Sequence, residues 1–189
     1  MDDSELWTAL EKHHSESLGW ALSCCAHSSV EADAVLQAVY LKVLAGKARF
    51  DGKASFKTWL FAVIRRTAAD ERRRQMLRRM LLKRRPEPVP VPAVERPDEA
   101  LYRAELRRLV REVLTQLPRR QREVLQLIFY HDLSLAEAAQ VMGVSPGSAH
   151  THYDRGKKQM RAYMLELQIH EEARRNDPQR TVSATETGR

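Results

Sequence analysis

A proline-rich stretch is the feature that most constrains how this chain can fold. Residues 86–97 read PEPVPVPAVERP and contain five prolines. Because proline fixes φ and lacks a backbone N–H donor, neither a helix nor a central β-strand can run through this segment. We expect an extended, semi-rigid linker over residues 86–98 that separates two units. A surface loop inside one domain is the alternative, and the change in composition on either side favours the linker.

Hydrophobic residues on both sides of the linker recur with the period of an α-helix, and no stretch alternates like a β-strand. The predicted fold class is therefore all-α, with two small helical domains and a helix-turn-helix in the C-terminal one. The predicted helices cover residues 4–26, 30–45, 55–84, 106–117 and 118–130, followed by those of the helix-turn-helix. Ser55 is placed to cap the third. The polar residues 170–189 predict a disordered tail.

The charge of the chain is strongly basic and unevenly distributed. A net charge of +7 and a pI near 9.7 indicate an acidic partner, most simply nucleic acid. Residues 1–38 hold seven acidic residues and one Lys, whereas residues 65–85 hold ten Arg or Lys and two acids. The sequence therefore offers an acidic end to a basic partner and a basic stretch to phosphates.

Residues 134–162 carry the most specific local pattern, that of a helix-turn-helix. Ser134 caps a short helix, the turn Gly143-Val144-Ser145 follows, and Pro146 begins a second helix. Such a second helix can enter the major groove of DNA with its N-terminal residues at the base edges. Its outward positions carry hydrogen-bonding or cationic groups, at Gly147, Ser148, His150, Thr151, His152, Asp154, Arg155 and Lys158. An ordinary helical hairpin with a solvated face is the alternative.

Several function classes find little support in the sequence. Gly-rich phosphate loops, HExxH, GxSxG and acidic metal clusters are missing, so we expect no enzyme, no catalytic residue and no cofactor. No apolar run approaches the roughly 20 residues needed to cross a bilayer, and the acidic N-terminus lacks a signal core. We therefore expect a cytoplasmic protein without membrane insertion.

The two cysteines, Cys24 and Cys25, are adjacent, which does not make a disulfide scaffold and fits a reducing cytosol. With His13, His14 and His27 they leave open a metal-binding sensor, since soft ligands suit zinc. Buried cysteines and exposed histidines explain the same residues more simply, so no metal site is expected.

The order of a basic helical module, a Pro-rich linker and a helix-turn-helix resembles the extracytoplasmic-function (ECF) sigma factors of bacteria. Residues 117–164, LPRRQREVLQLIFYHDLSLAEAAQVMGVSPGSAHTHYDRGKKQMRAYM, resemble region four of that family. Residues 31–75, EADAVLQAVYLKVLAGKARFDGKASFKTWLFAVIRRTAADERRRQ, resemble region two. The resemblance implies region two at 1–85, the linker at 86–98 and region four at 99–169. It also implies an RNA polymerase subunit that recognises promoter DNA and helps to open it.

The resemblance further implies three contact surfaces. The helix around residue 35 would dock on the clamp helices of the largest polymerase subunit, through Glu31, Asp33, Leu36, Gln37 and Tyr40. The minus-ten element would be engaged by Lys47, Arg49, Phe50, Lys53, Phe56, Lys57, Trp59, Arg65, Arg66, Arg72 and Arg73. The minus-thirty-five element would be read by Ser145, Gly147, Ser148, His150, Thr151, His152, Arg155 and Lys158. Contact with the polymerase flap and an anti-sigma partner are also implied.

Melted DNA needs aromatic or apolar pockets for flipped bases and cations for the strand. Residues 47–66 interleave both kinds of side chain, with aromatic rings at Phe50, Phe56, Trp59 and Phe61. Because aromatics at helical spacing more often pack in a core, we expect Trp59 to be mainly structural. The dense cations favour an anionic ligand, although a solvated helix face is the alternative.

The chain departs from the family pattern at three places. Ala34 and Ala38 stand where the family usually has carboxylates, which suggests a weak core binder that needs further help. Alternatively, Glu31, Asp33 and apolar contacts suffice. Arg66 replaces a frequent Asn, and His150 and His152 occupy positions that are usually basic, so the promoter sequence does not carry over. A helix-turn-helix regulator acting without polymerase is the alternative function.

Overall fold

The structure, a computed structural model, describes residues 2–82, 110 and 112–175. Its helices are α1 (Asp3–Lys12), α2 (His14–Cys24), α3 (Ser29–Leu44), α4 (Phe56–Leu82), α5 (Arg119–Phe129), α6 (Leu135–Met142) and α7 (Pro146–Arg175). Residues 112–116 are also helical, and this described part contains no strand. The predicted all-α fold class is confirmed. The predicted linker lies outside the described residues, as do residues 176–189 of the predicted tail, whereas residues 170–175 continue α7.

Most helix boundaries match the sequence pattern, with one exception near the N-terminus. The single helix predicted over residues 4–26 is wrong, because the chain leaves helical geometry at His13, where φ is −100° and ψ is 9°. α1 and α2 therefore meet at a bend. After α2 the chain turns sharply through Ala26 and His27, whose φ values are +51° and +64°.

The helix ends follow local hydrogen-bonding rules that the sequence carried. The Ser55 hydroxyl accepts from the Thr58 N–H at 3.1 Å, which caps α4 as predicted. Ser134 and Glu137 form a capping box at α6, and Gly143 ends that helix with φ of +64°. The Ser145 hydroxyl accepts from the Ser148 N–H at 3.2 Å at the start of α7. These contacts fix the helix-turn-helix geometry.

The N-terminal helical unit, α1–α4, is built around Trp20, Leu60 and Phe61, which have no exposed surface. The Trp20 indole N–H donates to the Phe61 carbonyl at 3.0 Å, which joins α2 to α4. Burying this large ring with its donor satisfied stabilises the bundle.

The C-terminal helical unit, residues 112–116 and α5–α7, packs around Leu125, Leu127 and Met142. Gly156 allows α7 to approach α5 closely, since a Cβ there would lie 3.3 Å from the Gln121 carbonyl oxygen. The two units also touch each other, because α4 packs against α6 and their buried residues form one continuous cluster.

None of the helices in the described ranges is both long enough and apolar enough to serve as a membrane span.

Candidate nucleic-acid interface

A strongly cationic pocket of about 410 Å³ opens between the end of α3 and the first half of α4. Four cations line it, and a tryptophan and a valine form apolar walls; its lining is Lys42, Lys47, Ala48, Arg49, Trp59, Val63, Arg66 and Thr67. No acidic side chain belongs to this lining. A pocket with this chemistry suits a flat, uncharged ring attached to phosphate.

The pocket contains Lys42 and Thr67, which sequence reasoning did not select. The Lys42 ammonium donates to the Thr67 hydroxyl at 3.0 Å and is thereby held at the pocket wall. The sequence did contain a signal for Lys42, because Lys42 is the only cationic residue of α3.

The predicted aromatic residues divide between this surface and the core. Phe50, Phe56 and Trp59 form a half-buried cluster with ring centroids 5.3–5.5 Å apart. Trp59 packs in this cluster and also lines the pocket, so it combines a structural position with an accessible one. Phe61, in contrast, is fully buried against Trp20 and is a core residue, because its side of α4 faces α2.

The predicted minus-ten cations differ in how free they are. Lys47, Arg49, Lys53 and Arg66 are exposed, and Lys53 pairs with exposed Asp51. Arg73 is exposed and pairs with Asp70 at 3.3 Å. Arg72 donates to the Cys24 carbonyl. Because exposed ion pairs are weak, Lys53 and Arg73 remain available to phosphates.

Two of the predicted cations are engaged inside the protein. Lys57 is 18% exposed and contacts the Glu16 carboxylate at 2.6 Å. Burial opposes ionisation of Glu16, but hydrogen bonds from Lys57 and His13 outweigh it and lower the pKa of this carboxyl. Arg65 is 15% exposed and pairs with Glu123 of α5 at 3.1 Å. In this conformation neither cation is free to contact DNA.

The start of α7 presents the predicted helix-turn-helix surface. The exposed residues there are Ser145, Gly147, Ser148, His150, Thr151, Arg155 and Lys158, whereas His152 is half-buried. The Thr151 hydroxyl donates to the Gly147 carbonyl at 3.0 Å, which turns its hydroxyl toward the backbone. Val144 is half-buried against the core, as its place in the turn requires.

Asp154 belongs to the same surface, and His150 lies 3.1 Å from its carboxylate through Nε2. Asp154 also lies 3.8 Å from the Lys157 ammonium. The Asp154 carboxylate therefore lies next to both the His150 ring and the Lys157 ammonium on the exposed face.

The predicted polymerase-binding residues lie on two sides of α3. Asp33 and Gln37 are exposed, Glu31 is half-buried, and half-buried Tyr40 hydrogen-bonds His14 at 3.0 Å. Leu36 is 4% exposed and packs in the core, so it is corrected from a contact residue to a structural one. The exposed face of α3 adjoins a groove of about 390 Å³ that is shared with α4.

This groove contains the two alanines that replace the usual carboxylates, Ala34 and Ala38. The charges that line the groove cancel. Three acids and three cations belong to the lining, namely Glu31, Asp70 and Glu71, and Lys42, Arg72 and Arg74.

The cysteine and histidine candidates do not form a ligand cluster. Within the described part of the chain, no three His, Cys, Asp or Glu residues are placed to hold a metal ion. Cys24 and Cys25 are buried. Burial raises the pKa of Cys25 to about 11, and burial likewise raises the pKa of Cys24, so the thiolates that metals require are disfavoured.

Comparison with known proteins assigns both helical units. Residues 9–78 match the family model of Sigma-70 region 2, and residues 107–160 match Sigma-70, region 4. The chain is 30% identical to the RNA polymerase sigma factor CarQ of Myxococcus xanthus over 138 residues, 73% of this chain and 77% of CarQ. It is 32% identical to the ECF RNA polymerase sigma factor SigX of Bacillus subtilis (strain 168), over 69% of each chain. The chain belongs to the ECF sigma factors.

Two solved structures share the fold of this sigma factor. The sigma factor RpoE of Bartonella quintana, in complex with the anti-sigma factor NepR, has a TM-score of 0.68 at 18% identity, covering 85% of this chain and 97% of RpoE. CnrH, in complex with the cytosolic domain of CnrY, has a TM-score of 0.60 at 22% identity, covering 88% of this chain and 90% of CnrH.

Membership of the family makes this chain an RNA polymerase sigma factor, which binds core polymerase and promoter DNA. It favours this function over a helix-turn-helix regulator acting without polymerase.

Proposed function

We propose that this sigma factor engages the minus-ten element of melted promoter DNA with the cationic pocket between α3 and α4. The observation that supports this most directly is the pocket lining, four cations around a wall of Trp59 and Val63 without an acid. A protein that uses no ATP opens DNA only by binding the open strand better than the duplex. A pocket that accepts an unstacked base and its phosphate provides that difference.

The cations around the pocket extend this proposed surface along α4. Arg49 and Arg66 reach solvent at the pocket, and Arg72 and Arg73 are exposed further along the helix. Phosphates of one strand can follow this row, because each cation that replaces a counterion adds affinity without sequence preference. Phe50 and Phe56 support Trp59 from behind and set the wall against which a base stacks.

The minus-thirty-five element is read, in this proposal, by the N-terminal part of α7. Its exposed hydroxyl, imidazole and guanidinium groups suit base edges and phosphates. His150, whose Nε2 lies 3.1 Å from the Asp154 carboxylate, is one of the exposed side chains available for base contact. The proposed region boundaries are residues 1–85 and 99–169.

The core polymerase docks on the exposed side of α3, through Glu31, Asp33, Gln37 and Tyr40 without Leu36. The protein acts in the cytoplasm and leaves RNA synthesis to the core enzyme, with no catalytic site of its own. RpoE was solved with the anti-sigma factor NepR, and CnrH with the cytosolic domain of CnrY. We propose that this chain also binds an anti-sigma factor.

Run-off transcription with core polymerase and a promoter library tests the proposal. Promoters recovered from the library then allow strand opening at the minus-ten element to be measured by permanganate reactivity. The double variant Arg49→Ala, Arg66→Ala is expected to reduce opening at least tenfold. Arg161→Ala, an exposed α7 residue away from the pocket, is the matched control and is expected to leave opening unchanged. Failure of the wild-type chain to support initiation at any promoter contradicts the function itself.

A further inference from the structure

The last part of α4 carries large apolar side chains that the helical bundle does not bury, and we call its residues 72–82 the α4 tip. Among the described side chains of α4, Ala68 is the last one that is buried. Four large apolar side chains follow on the α4 tip at 58–79% exposure, those of Met76, Leu77, Met80 and Leu81. Single exposed apolar residues are common on protein surfaces, but a contiguous group of them marks a site of interaction.

These apolar side chains share one face of the helix. They stand at positions i, i+1, i+4 and i+5, which span an arc of about 140° at about 3.6 residues per turn. Arg74 and Arg78 lie one turn apart beside this arc, and both are exposed. Arg74 contacts the Glu71 carboxylate at 3.6 Å, a pair that is too weak to withhold its charge from another anion. The α4 tip is therefore an amphipathic helix end with an apolar face and a cationic flank.

The charge of this part of the sequence is uniformly positive. Residues 72–85 hold eight Arg or Lys and no Asp or Glu. Clustered cations on a helix with an apolar face are typical of segments that lie on the surface of an anionic membrane. Each cation held near such a surface contributes about fivefold to the binding constant, and buried apolar side chains add to it.

Nucleic acid and a second copy of this chain each match only one of the two features of the α4 tip. A DNA or RNA strand neutralises the arginines, but its phosphates leave the four apolar side chains in water. A second copy covers the apolar side chains, but it brings two sets of like charges together. An anionic lipid surface matches both features, because its apolar layer lies directly beneath the negative headgroups.

We propose that the α4 tip binds an anionic lipid surface, as a peripheral contact that does not cross the bilayer. The apolar face enters the headgroup region, and the arginines beside it contact lipid phosphates. Because Arg72 and Arg73 of the same segment are proposed contacts for promoter DNA, lipid and DNA compete for this segment. A chain bound to lipid is thus withheld from promoters. This competition rests on the proposed DNA contacts, whereas lipid binding itself does not.

Co-sedimentation of the full-length chain with lipid vesicles tests this contact. Wild type is expected to bind vesicles of mixed phosphatidylglycerol and phosphatidylcholine at least about tenfold more tightly than vesicles of phosphatidylcholine alone. The double variant Leu77→Gln, Leu81→Gln keeps a high helix propensity, removes two apolar side chains from the lipid contact, and is expected to lose about tenfold on the anionic vesicles. Arg74→Gln with Arg78→Gln is expected to lose at least about tenfold at low salt.

The matched control removes two exposed apolar side chains far from the α4 tip in sequence. Trp7→Gln with Leu165→Gln changes residues that are 52% and 59% exposed, and it is expected to leave vesicle binding unchanged. Tryptophan is itself a residue that prefers membrane interfaces, so a general effect of exposed apolar surface would show in this control.

Several results of these measurements overturn the lipid contact. They are no binding of wild type to the anionic vesicles, equal binding to the neutral vesicles, and equal losses in the leucine variant and the control. A loss in the arginine variant alone also overturns it, because the segment then binds phosphates without its apolar face. If the leucine variant keeps vesicle binding but loses affinity for core polymerase, a protein covers the apolar face and the proposal is wrong.

Circular dichroism checks that each variant keeps the helix content of wild type. Met76→Gln with Met80→Gln changes the same face and replaces the leucine variant if that one does not fold. Neither polymerase nor promoter DNA enters the vesicle measurement, so its failure leaves the proposed promoter contacts standing. Failure of initiation in run-off transcription, in turn, leaves vesicle binding unaffected.

Discussion

Arg65 and Glu123 lie 58 residues apart in sequence and form a 3.1 Å ion pair between the two helical units, at 15% and 8% side-chain exposure. Arg65 belongs to the basic run that the family resemblance assigns to DNA binding. The same side chain therefore holds the two helical units together and is a predicted contact for promoter DNA. In this structure the Arg65 charge is paired with the Glu123 carboxylate.

A double-mutant cycle measures how strongly this pair couples the units. Arg65→Met and Glu123→Gln, singly and together, are expected to show a coupling free energy of about 1–3 kcal/mol in chemical denaturation, because the pair is largely buried. Arg73→Met with Asp70→Asn, an exposed pair, is the control and is expected to couple by less than about 0.5 kcal/mol. Equal coupling in both cycles contradicts a special role for Arg65.

The contact between the two helical units is expected to weaken in acid because of His131, which is 7% exposed and packs edge-on against Trp20 and Phe61. Burial, aided by the charge of Lys57, lowers the pKa of this imidazole to about 4, although Glu16 and Asp132 oppose the shift. Because an exposed histidine has a pKa near 6.5, a form in which the two units have separated binds a proton first as the pH falls. The equilibrium constant for contact between the units is thus largest above about pH 6.5 and falls by up to roughly tenfold per pH unit between pH 6.5 and pH 4.

Scattering of the free chain at pH 7.5 and pH 5.0 checks this expectation, with a larger radius of gyration at the lower pH. The pKa values of Glu16 and Glu137 are lowered, which moves the titration of these two carboxyls toward more acidic pH. His131→Phe keeps a ring in the slot and is expected to remove the pH response. Persistence of the response in that variant assigns it to other histidines.

Local rules in the sequence predicted the helices and their caps well. Ser55, Ser134 and Gly143 act through neighbours within four residues, so their roles are visible in a short window. Contacts that depend on tertiary packing were not visible: nothing near His131 in sequence indicates that it fills a slot beside Trp20. Leu36 was misplaced because its docking role came from the family resemblance, whereas in this chain its side chain packs in the core.

A contact between two helices was also missed at the candidate site. The Lys42 ammonium of α3 meets the Thr67 hydroxyl of α4, and no short window of sequence contains both residues. Sequence composition predicted a cationic surface, but it could not show which cations line a pocket and which are engaged by Glu16 and Glu123.

Gly156 is expected to tolerate no side chain larger than a methyl group. A Cβ there would lie 3.1 Å from the Leu125 methyl and 3.3 Å from the Gln121 carbonyl, and the backbone oxygen cannot move away. In Gly156→Ala, the higher helix propensity of alanine, about 1 kcal/mol, acts against this crowding. Gly156→Val is expected to lower the free energy of unfolding by about 2 kcal/mol or more. Thermal unfolding measures both. Gly147→Ala, where nothing lies within 4 Å, is the control and is expected to be neutral or stabilising.

Polymerase binding is expected to respond to acids restored on α3. The groove beside Ala34 and Ala38 carries balanced charge, so the chain gains little long-range attraction to a basic partner. The double variant Ala34→Glu, Ala38→Glu is expected to bind core polymerase about three- to tenfold more tightly at low salt, with most of the gain lost at high salt.

Competition against a labelled reference sigma factor at two ionic strengths measures this gain. Matched glutamates at Gln140 and Ala136, on exposed positions of α6, add the same charge away from α3 and are expected to leave affinity unchanged. If wild type already competes as strongly as the reference and the α3 glutamates add nothing, Glu31, Asp33 and apolar contacts suffice for docking. In that case the loss of two carboxylates has no cost for assembly, and the weak-binder hypothesis is wrong.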